Sequence, residues 1–343
     1  MSRRGGASRR PPPKKPHVAV SPRLRVTRGP PRAPRRPEGV RWLRSDGSPN
    51  WSQRLALHRG EVSEYASRPA ISVAPSSTIL EAAELIAEKK VRGLTLSDAK
   101  GYLRGIVMAT DIVNYLGGGE YFEIVKRRYG GNIFGALRDE RVSSIANPSP
   151  LYIYTTSTLM DAVKTMVVEG VGFLPVITEE GVLYGVITEH DVVRTYLSEA
   201  YLGVKVSEIA SRNIVGVNIE DPIRKAAELM VRHGFRRLVV LGSDNSIKGI
   251  VTAKDYVAFF GSHRAFDLVT TGDIEEVLKT PVYEIMESGI VTLRADADVS
   301  EAARLMRDNN VSSIIVVDES DNAVGLLTER DVMIAIALER GAK

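Results

Sequence analysis

Four times between Val62 and Leu338 the chain sets a helix-face alanine and a strand glycine the same distance apart, and that constancy limits the fold more than any composition figure. The alanines are Ala82, Ala162, Ala226 and Ala302; the glycines Gly105, Gly185, Gly249 and Gly325 follow 23 residues later in every copy. Six residues beyond each glycine stands an aspartate: Asp111, Asp191, Asp255 and Asp331. Two fixed spacings held through four segments are the mark of an internal repeat.

Each copy reads β-α-β-β-α. A short strand comes first (Ile71 and Val73, Leu151 and Ile153, Ile214 and Val217, Ile290 and Val291), then a helix with alanine on its buried face. An apolar run such as Leu238-Val239-Val240 or Ile314-Ile315-Val316-Val317 follows, then a turn, the glycine strand and a helix opened near the Asp. The steps between copies are 80, 64 and 76 residues, so the copies are paired. The long steps hold extra helical material, Tyr121 to Leu137 and Asp267 to Leu278. One small sheet with two helices on one face leaves its other side bare, and a unit of about 60 residues is marginal alone. Copies should therefore pack sheet against sheet, leaving a cleft between them where a ligand can sit.

Charge separates the repeats from what precedes them. Residues 1–60 hold 16 of the 46 Lys and Arg and two acids, Glu38 and Asp46, a net of +14; the remainder, with 30 bases and 40 acids, stands at −10. Ten of the 17 prolines also lie in residues 1–60. Such a segment buries too little apolar surface to offset the entropy of ordering, which predicts a disordered tail over 1–60. Within it Trp42, Leu43, Trp51, Leu55 and Leu57 form a candidate docking segment. A second reading, that translation starts at a non-Met codon nearer Val62, stands beside this one. The chain has no Cys, which excludes disulfides and cysteine metal sites and fits a cytoplasmic location. No apolar run is long enough for a membrane helix. The Walker Gly-x-x-x-x-Gly-Lys, His-Glu-x-x-His and nucleophile-triad signatures are missing, so the reading is of a protein that is not an enzyme. Gly117-Gly118-Gly119 reads as a helix stop and hinge.

The chemistry gathers where each copy closes. Gly185-Val-Ile-Thr188-Glu-His-Asp191, Gly249-Ile-Val-Thr252-Ala-Lys-Asp255 and Gly325-Leu-Leu-Thr328-Glu-Arg-Asp331 share Gly, two aliphatics, Thr, two variable residues and Asp; the first copy has Met108 in place of the Thr. A carboxylate at a helix start can accept both hydroxyls of a cis-diol, and helix N-termini favour phosphate. The same Thr-x-x-Asp is also plain helix capping, and the residues alone leave both readings open.

These four segments resemble CBS (cystathionine β-synthase) domains, whose tandem pairs are called Bateman modules. The resemblance implies copies at 62–127, 142–202, 206–262 and 282–340, an α/β fold of the α+β kind, and a flat disc in which two modules form a pseudo-dimer. Val192-Val193, Val332-Met333 and Ile336 would lie on its seam. It further implies a regulatory ligand rather than a catalytic cofactor: AMP, ADP, ATP or S-adenosylmethionine, with Asp on the ribose hydroxyls, Thr on ribose or phosphate, basic residues on the phosphates and strand residues beside the base. Copy three is then the best equipped, with Thr252, Asp255, Arg236, Arg237 and Lys254. Copy four offers Thr328, Asp331 and Arg330 but has Ser312-Ser313 where copy three has its arginines. Copy two offers Thr188, Asp191 and His190, with Gly172-Phe173 at that place. Copy one, with Asp111, Arg92 and Gly93, is the weakest. Implied partners are the nucleotide, a regulated protein and self-association. Non-specific nucleic-acid binding by the tail and a ligand-free scaffold are the competing readings.

Overall fold

The computed structural model describes residues 49–52, 62–195 and 203–338. The expectation of a disordered tail lies outside those residues, apart from 49–52. There Trp51 bridges Leu338 and packs on the helices of copies two and four, so this part of the candidate docking segment does dock.

Copy one comprises α1 (Val62–Tyr65), β1 (Ser72–Val73), α2 (Ile79–Lys89), β2 (Gly93–Ser97), β3 (Leu103–Met108) and α3 (Ala109–Val113), followed by the inserted α4 (Phe122–Tyr129) and α5 (Ile133–Arg138). Copy two has β4 (Ile153–Tyr154), α6 (Leu159–Glu169), β5 (Phe173–Ile177), β6 (Leu183–Thr188) and α7 (Glu189–Thr195). Copy three has α8 (Val206–Ile209), β7 (Gly216–Asn218), α9 (Ile223–His233), β8 (Arg237–Leu241), β9 (Ile247–Thr252) and α10 (Ala253–Gly261), then the inserted α11 (Ile274–Leu278). Copy four has β10 (Thr292–Arg294), α12 (Val299–Asp308), β11 (Ser313–Val317), β12 (Ala323–Thr328) and α13 (Glu329–Ala337). In every copy the first strand pairs parallel with the second and the second antiparallel with the third.

Local chemistry starts the helices where the repeat predicts them. Thr78 accepts from the Glu81 amide at 3.1 Å while the Glu81 carboxylate accepts from the Thr78 amide at 3.0 Å, a reciprocal cap on α2. Thr158 and Asp161 repeat it on α6. The repeat alanines Ala82, Ala162, Ala226 and Ala302 are fully buried, which lets backbones approach closely.

The repeat glycines have a tertiary reason. The segment leading into each copy crosses the third strand of its module partner: Ser67 bridges Val186, Asn147 bridges Ile106, Ser211 bridges Leu326 and Glu287 bridges Ile250. These crossings fall one residue past each glycine. A Cβ on Gly105 would lie 2.7 Å from the Asn147 carbonyl oxygen, one on Gly185 2.8 Å from that of Ser67, and one on Gly249 would strike that of Glu287. Paired copies are thus interlocked, each covered by its partner's leader.

Within the second module the sheets meet face to face through Ile214, Val239, Ile247, Ile315, Val317 and Ala323. Between modules the helices meet, copy one on copy three and copy two on copy four. Burying a Leu, Ile or Val in such a seam contributes about 1.5–3 kcal/mol. Val192, Val193, Val332, Met333 and Ile336 are all buried there, as expected of seam residues. The insertions also meet: Phe134 and Phe266 lie 5.5 Å apart, and the Ile133 amide donates to the Gly272 carbonyl at 2.9 Å. The three-glycine run differs from the expected hinge. Gly117, at φ 125°, does interrupt the helix, but a Cβ on Gly118 would lie 2.8 Å from Val231 and 2.9 Å from the Ala227 carbonyl of α9. That close approach to the other module fixes the segment instead of freeing it.

Candidate functional site

Each copy closes with an aspartate at the third position of its last helix. In copies two, three and four the Asp Oδ2 accepts from the Thr amide and from the Thr hydroxyl: 2.8 and 2.7 Å for Thr188–Asp191, for Thr252–Asp255 and for Thr328–Asp331. In copy one only the Met108 amide donates to Asp111, at 2.7 Å. Capping therefore uses one carboxylate oxygen and leaves Oδ1 over, so the capping and ligand readings are compatible. Burial pushes the Asp111 carboxyl up to about 6, against the Met108 bond. It does the same to Asp331, up to about 6, against its two Thr328 bonds, and raises Asp255 in the same direction.

Two of these aspartates, Asp191 and Asp255, line one cavity of about 610 Å³. The leader crossings account for this. Ser67 to Ile71 of copy one covers the Asp191 cleft, and Glu287 to Val291 of copy four covers the Asp255 cleft, and both clefts open on the junction of all four copies. Thr188, His190, Arg92, Gly93, Arg236, Arg237, Thr252 and Lys254 line it as well, so ten of the sequence-derived candidates converge. Thr328, Asp331 and Asp111 do not line it. Arg330 does not line it either; it pairs with Glu189. Apolar walls come from Ile71, Phe173, Val186, Ile250, Val291 and Val311. Six cations (Arg68, Lys90, Arg92, Arg236, Arg237, Lys254) face four acids (Asp191, Asp255, Glu287, Glu329), so the cavity is positive before His190 is counted.

The two clefts differ in detail. Ser67 Oγ donates to Asp191 Oδ1 at 3.0 Å, which occupies the second oxygen. The equivalent residue over Asp255 is Glu287, which as a carboxylate has no proton to give, and Asp255 Oδ1 has no partner among the described residues. Opposite Thr252 across the β8–β9 pair stands Arg237; opposite Thr188 stands Phe173. Arg237 donates to the Ser312 carbonyl and has no ion-pair partner among the described residues, and burial drives its guanidinium down to about 10.

At the junction lies a set of ion pairs that the repeat pattern did not bring out. Glu189 Oε2 accepts from Arg236 at 2.7 Å and from Arg92 at 3.2 Å, and its Oε1 from Arg330 at 2.6 Å. Glu329 accepts from Arg92 at 2.8 Å and pairs with His190 Nδ1 at 2.7 Å. Burial acts to raise the Glu189 carboxyl, but Arg236, Arg330 and Arg92 outweigh it and hold the group at about 2. The hydrogen bond to Glu329 raises His190, against burial.

A sequence signal for this hub existed. The position thirteen before each repeat glycine reads Arg92, Gly172, Arg236, Ser312, and the position four after it reads Ala109, Glu189, Ala253, Glu329. The two positions touch in every copy through a backbone hydrogen bond of 3.0 to 3.3 Å. Odd copies combine Arg with Ala, and even copies combine a small residue with Glu. A Cβ on Gly172 would lie 2.5 Å from the Glu189 carboxyl carbon, so the long acid needs the missing side chain.

The CBS domain family model matches residues 62–118, 142–198, 206–261 and 282–338. Protein MJ1225 of Methanocaldococcus jannaschii is 29% identical over 264 residues, 77% of this chain and 94% of its own. A 33.4 kDa protein of the ribosomal RNA operon of Thermofilum pendens is 29% identical over 276 residues, 80% of this chain and 91% of its own. The crystal structure of MJ1225, proposed to be an archaeal homologue of g-AMPK, resembles this one with a TM-score of 0.74, covering 80% of this chain and 99% of that one. A conserved protein from Pyrococcus horikoshii, 19% identical, shares the fold at a TM-score of 0.51 over 81% of this chain and 100% of its own. With four matched copies on four equivalent three-stranded sheets, the chain belongs to the CBS domain family as two tandem pairs closed into one disc-like pseudo-dimer.

Proposed function

We propose that this chain is a cytoplasmic regulatory sensor of adenosine nucleotides, bound in the shared cavity with the ribose on Asp255 and the phosphate toward Arg237, Arg236 and Thr252. The observation that carries the reading is an Asp255 Oδ1 and an Arg237 guanidinium on the same cavity, the first without a hydrogen-bond partner and the second without a carboxylate partner among the described residues. A carboxylate oxygen takes hydroxyl protons, and a guanidinium offers paired N–H donors to phosphate. Ile250 and Val291 give the base an apolar wall. The cation surplus favours AMP, ADP or ATP over S-adenosylmethionine, whose sulfonium adds a positive charge to an already positive site.

The regulatory part rests on position. Residues from all four copies, within the boundaries 62–127, 142–202, 206–262 and 282–340, meet at the cavity, so a ligand that moves Arg236 or Glu189 is felt in both modules. Calorimetric titration of AMP, ADP, ATP and S-adenosylmethionine tests the reading. It predicts saturable binding of a nucleotide that Asp255→Ala weakens; no binding by any of the four at millimolar concentration would favour the ligand-free scaffold.

A further inference from the structure

Three guanidinium groups from three different copies converge on one carboxylate from the fourth. Arg92 of copy one, Arg236 of copy three and Arg330 of copy four surround Glu189 of copy two at 3.2, 2.7 and 2.6 Å. Only 1% of the Glu189 side chain is exposed. Three arginines around one anion is the surrounding a phosphoryl group takes in a binding site. The position is built as well as occupied, because Gly172 clears the room that this carboxyl fills.

We infer that Glu189 is a specificity-determining residue, an internal anion behind the cavity wall that holds two of the cavity's arginines, Arg92 and Arg236, together with Arg330, and so restricts the favoured nucleotide to a single phosphate; this rests on the adenosine reading above. Of the two cavity arginines that Glu189 does not hold, Arg68 donates to the Tyr184 hydroxyl in the Asp191 cleft, and Arg237 serves the Asp255 cleft. It stands across the strand pair from Thr252, whose hydroxyl binds Asp255, so it meets the first phosphate of a nucleotide whose ribose is on Asp255. Further phosphates run toward Arg236 and Arg92, whose N–H groups already donate to Glu189. They also bring oxyanions toward the buried Glu189 carboxylate behind those arginines, a like-charge approach across a short, poorly solvated distance.

The test is the ratio of ATP to AMP affinity, measured by calorimetry in wild type, Glu189→Gln, Glu189→Asp and Gly172→Ala. The ratio should rise at least about tenfold in Glu189→Gln, the equivalent of one charge-assisted contact regained. Glu189→Asp keeps the charge and should stay near wild type, which a packing role for the side chain would not predict. Gly172→Ala drives a methyl into the carboxyl group and should move the ratio the same way as Gln, so it carries the test if Glu189→Gln fails to fold. A ratio that is unchanged or falls overturns the inference. A second arm needs no nucleoside: the shift in Tm on adding inorganic tripolyphosphate, relative to inorganic phosphate. It should be larger in Glu189→Gln than in wild type, and an equal or smaller shift overturns the role of Glu189. If no adenosine compound binds either protein, the proposed function falls, and this second arm still decides about Glu189.

Discussion

The clefts at Asp255 and Asp191 open into one cavity, start from the same Thr-x-x-Asp and share the same cap, yet they are not chemically alike. Asp255 keeps one oxygen without a partner among the described residues, and Arg237 stands across the strand pair from its Thr252; Asp191 spends that oxygen on Ser67, and Phe173 stands across from its Thr188. The difference shows that the fold positions a carboxylate in each copy, while the residue arriving from the partner's leader and the residue across the sheet decide what it can hold.

The largest effect expected from this difference is on AMP affinity. Asp255→Ala should weaken it by about one to two orders of magnitude, since a charged acceptor for two hydroxyls is lost. The fold should survive, because a lost cap costs about 1 kcal/mol. Asp111→Ala, at a carboxylate that does not itself line the cavity and has Met108 in place of the threonine, should shift the constant less than about twofold. Paired calorimetric titrations check both, and a larger loss in Asp111→Ala would invert the ranking of clefts. Next in size is Arg237→Ala, which should weaken AMP by about tenfold and leave adenosine unaffected. Equal losses for AMP and adenosine would place the phosphate elsewhere.

A smaller gain should come from Ser67→Ala. Freeing Asp191 Oδ1 should strengthen a second, weaker AMP binding step by about threefold, within the range of one neutral hydrogen bond. No change in that step would make Phe173, not Ser67, the limit on this cleft. The smallest effect is one of pH on stability. The bond to Glu329 raises His190 above its ordinary value, so its contribution is complete below the unfolded value of about 6.5 and is lost as pH rises through the folded one. The Tm of His190→Gln should therefore lie below wild type near pH about 6 and converge with it as pH rises above the ordinary value of about 6.5. A gap that widens with pH would mean that the ring acts at the hub as a neutral group.

Much of this was legible in the residues. The two fixed spacings gave four copies and the unequal steps between them gave their pairing, while the seam at Val192, Val332 and Ile336 followed from the resemblance to CBS domains. The Thr–Asp contact was also readable, since both groups belong to one helix turn. Three features were not, and all of them need a second segment. Which leader covers which aspartate depends on the exchange of leaders between paired copies, so the merging of one cleft from each module into a single cavity was hidden. The glycines marked the repeat, but their cause, a partner backbone crossing within van der Waals distance, belongs to tertiary structure. The hub at Glu189 and Glu329 lay in positions read as variable; the alternation of Arg with Ala and of Gly or Ser with Glu becomes visible only when two columns thirteen before and four after the glycine are compared.

The most direct measurement is a crystal structure of the full chain with AMP. The account predicts one well-ordered nucleotide in the shared cavity, its ribose hydroxyls on Asp255 Oδ1 and its phosphate within hydrogen-bond distance of Arg237, with Glu189 still held by Arg92, Arg236 and Arg330. A nucleotide bound first at Asp111, or one lying with its phosphate away from the four-copy junction, would contradict it.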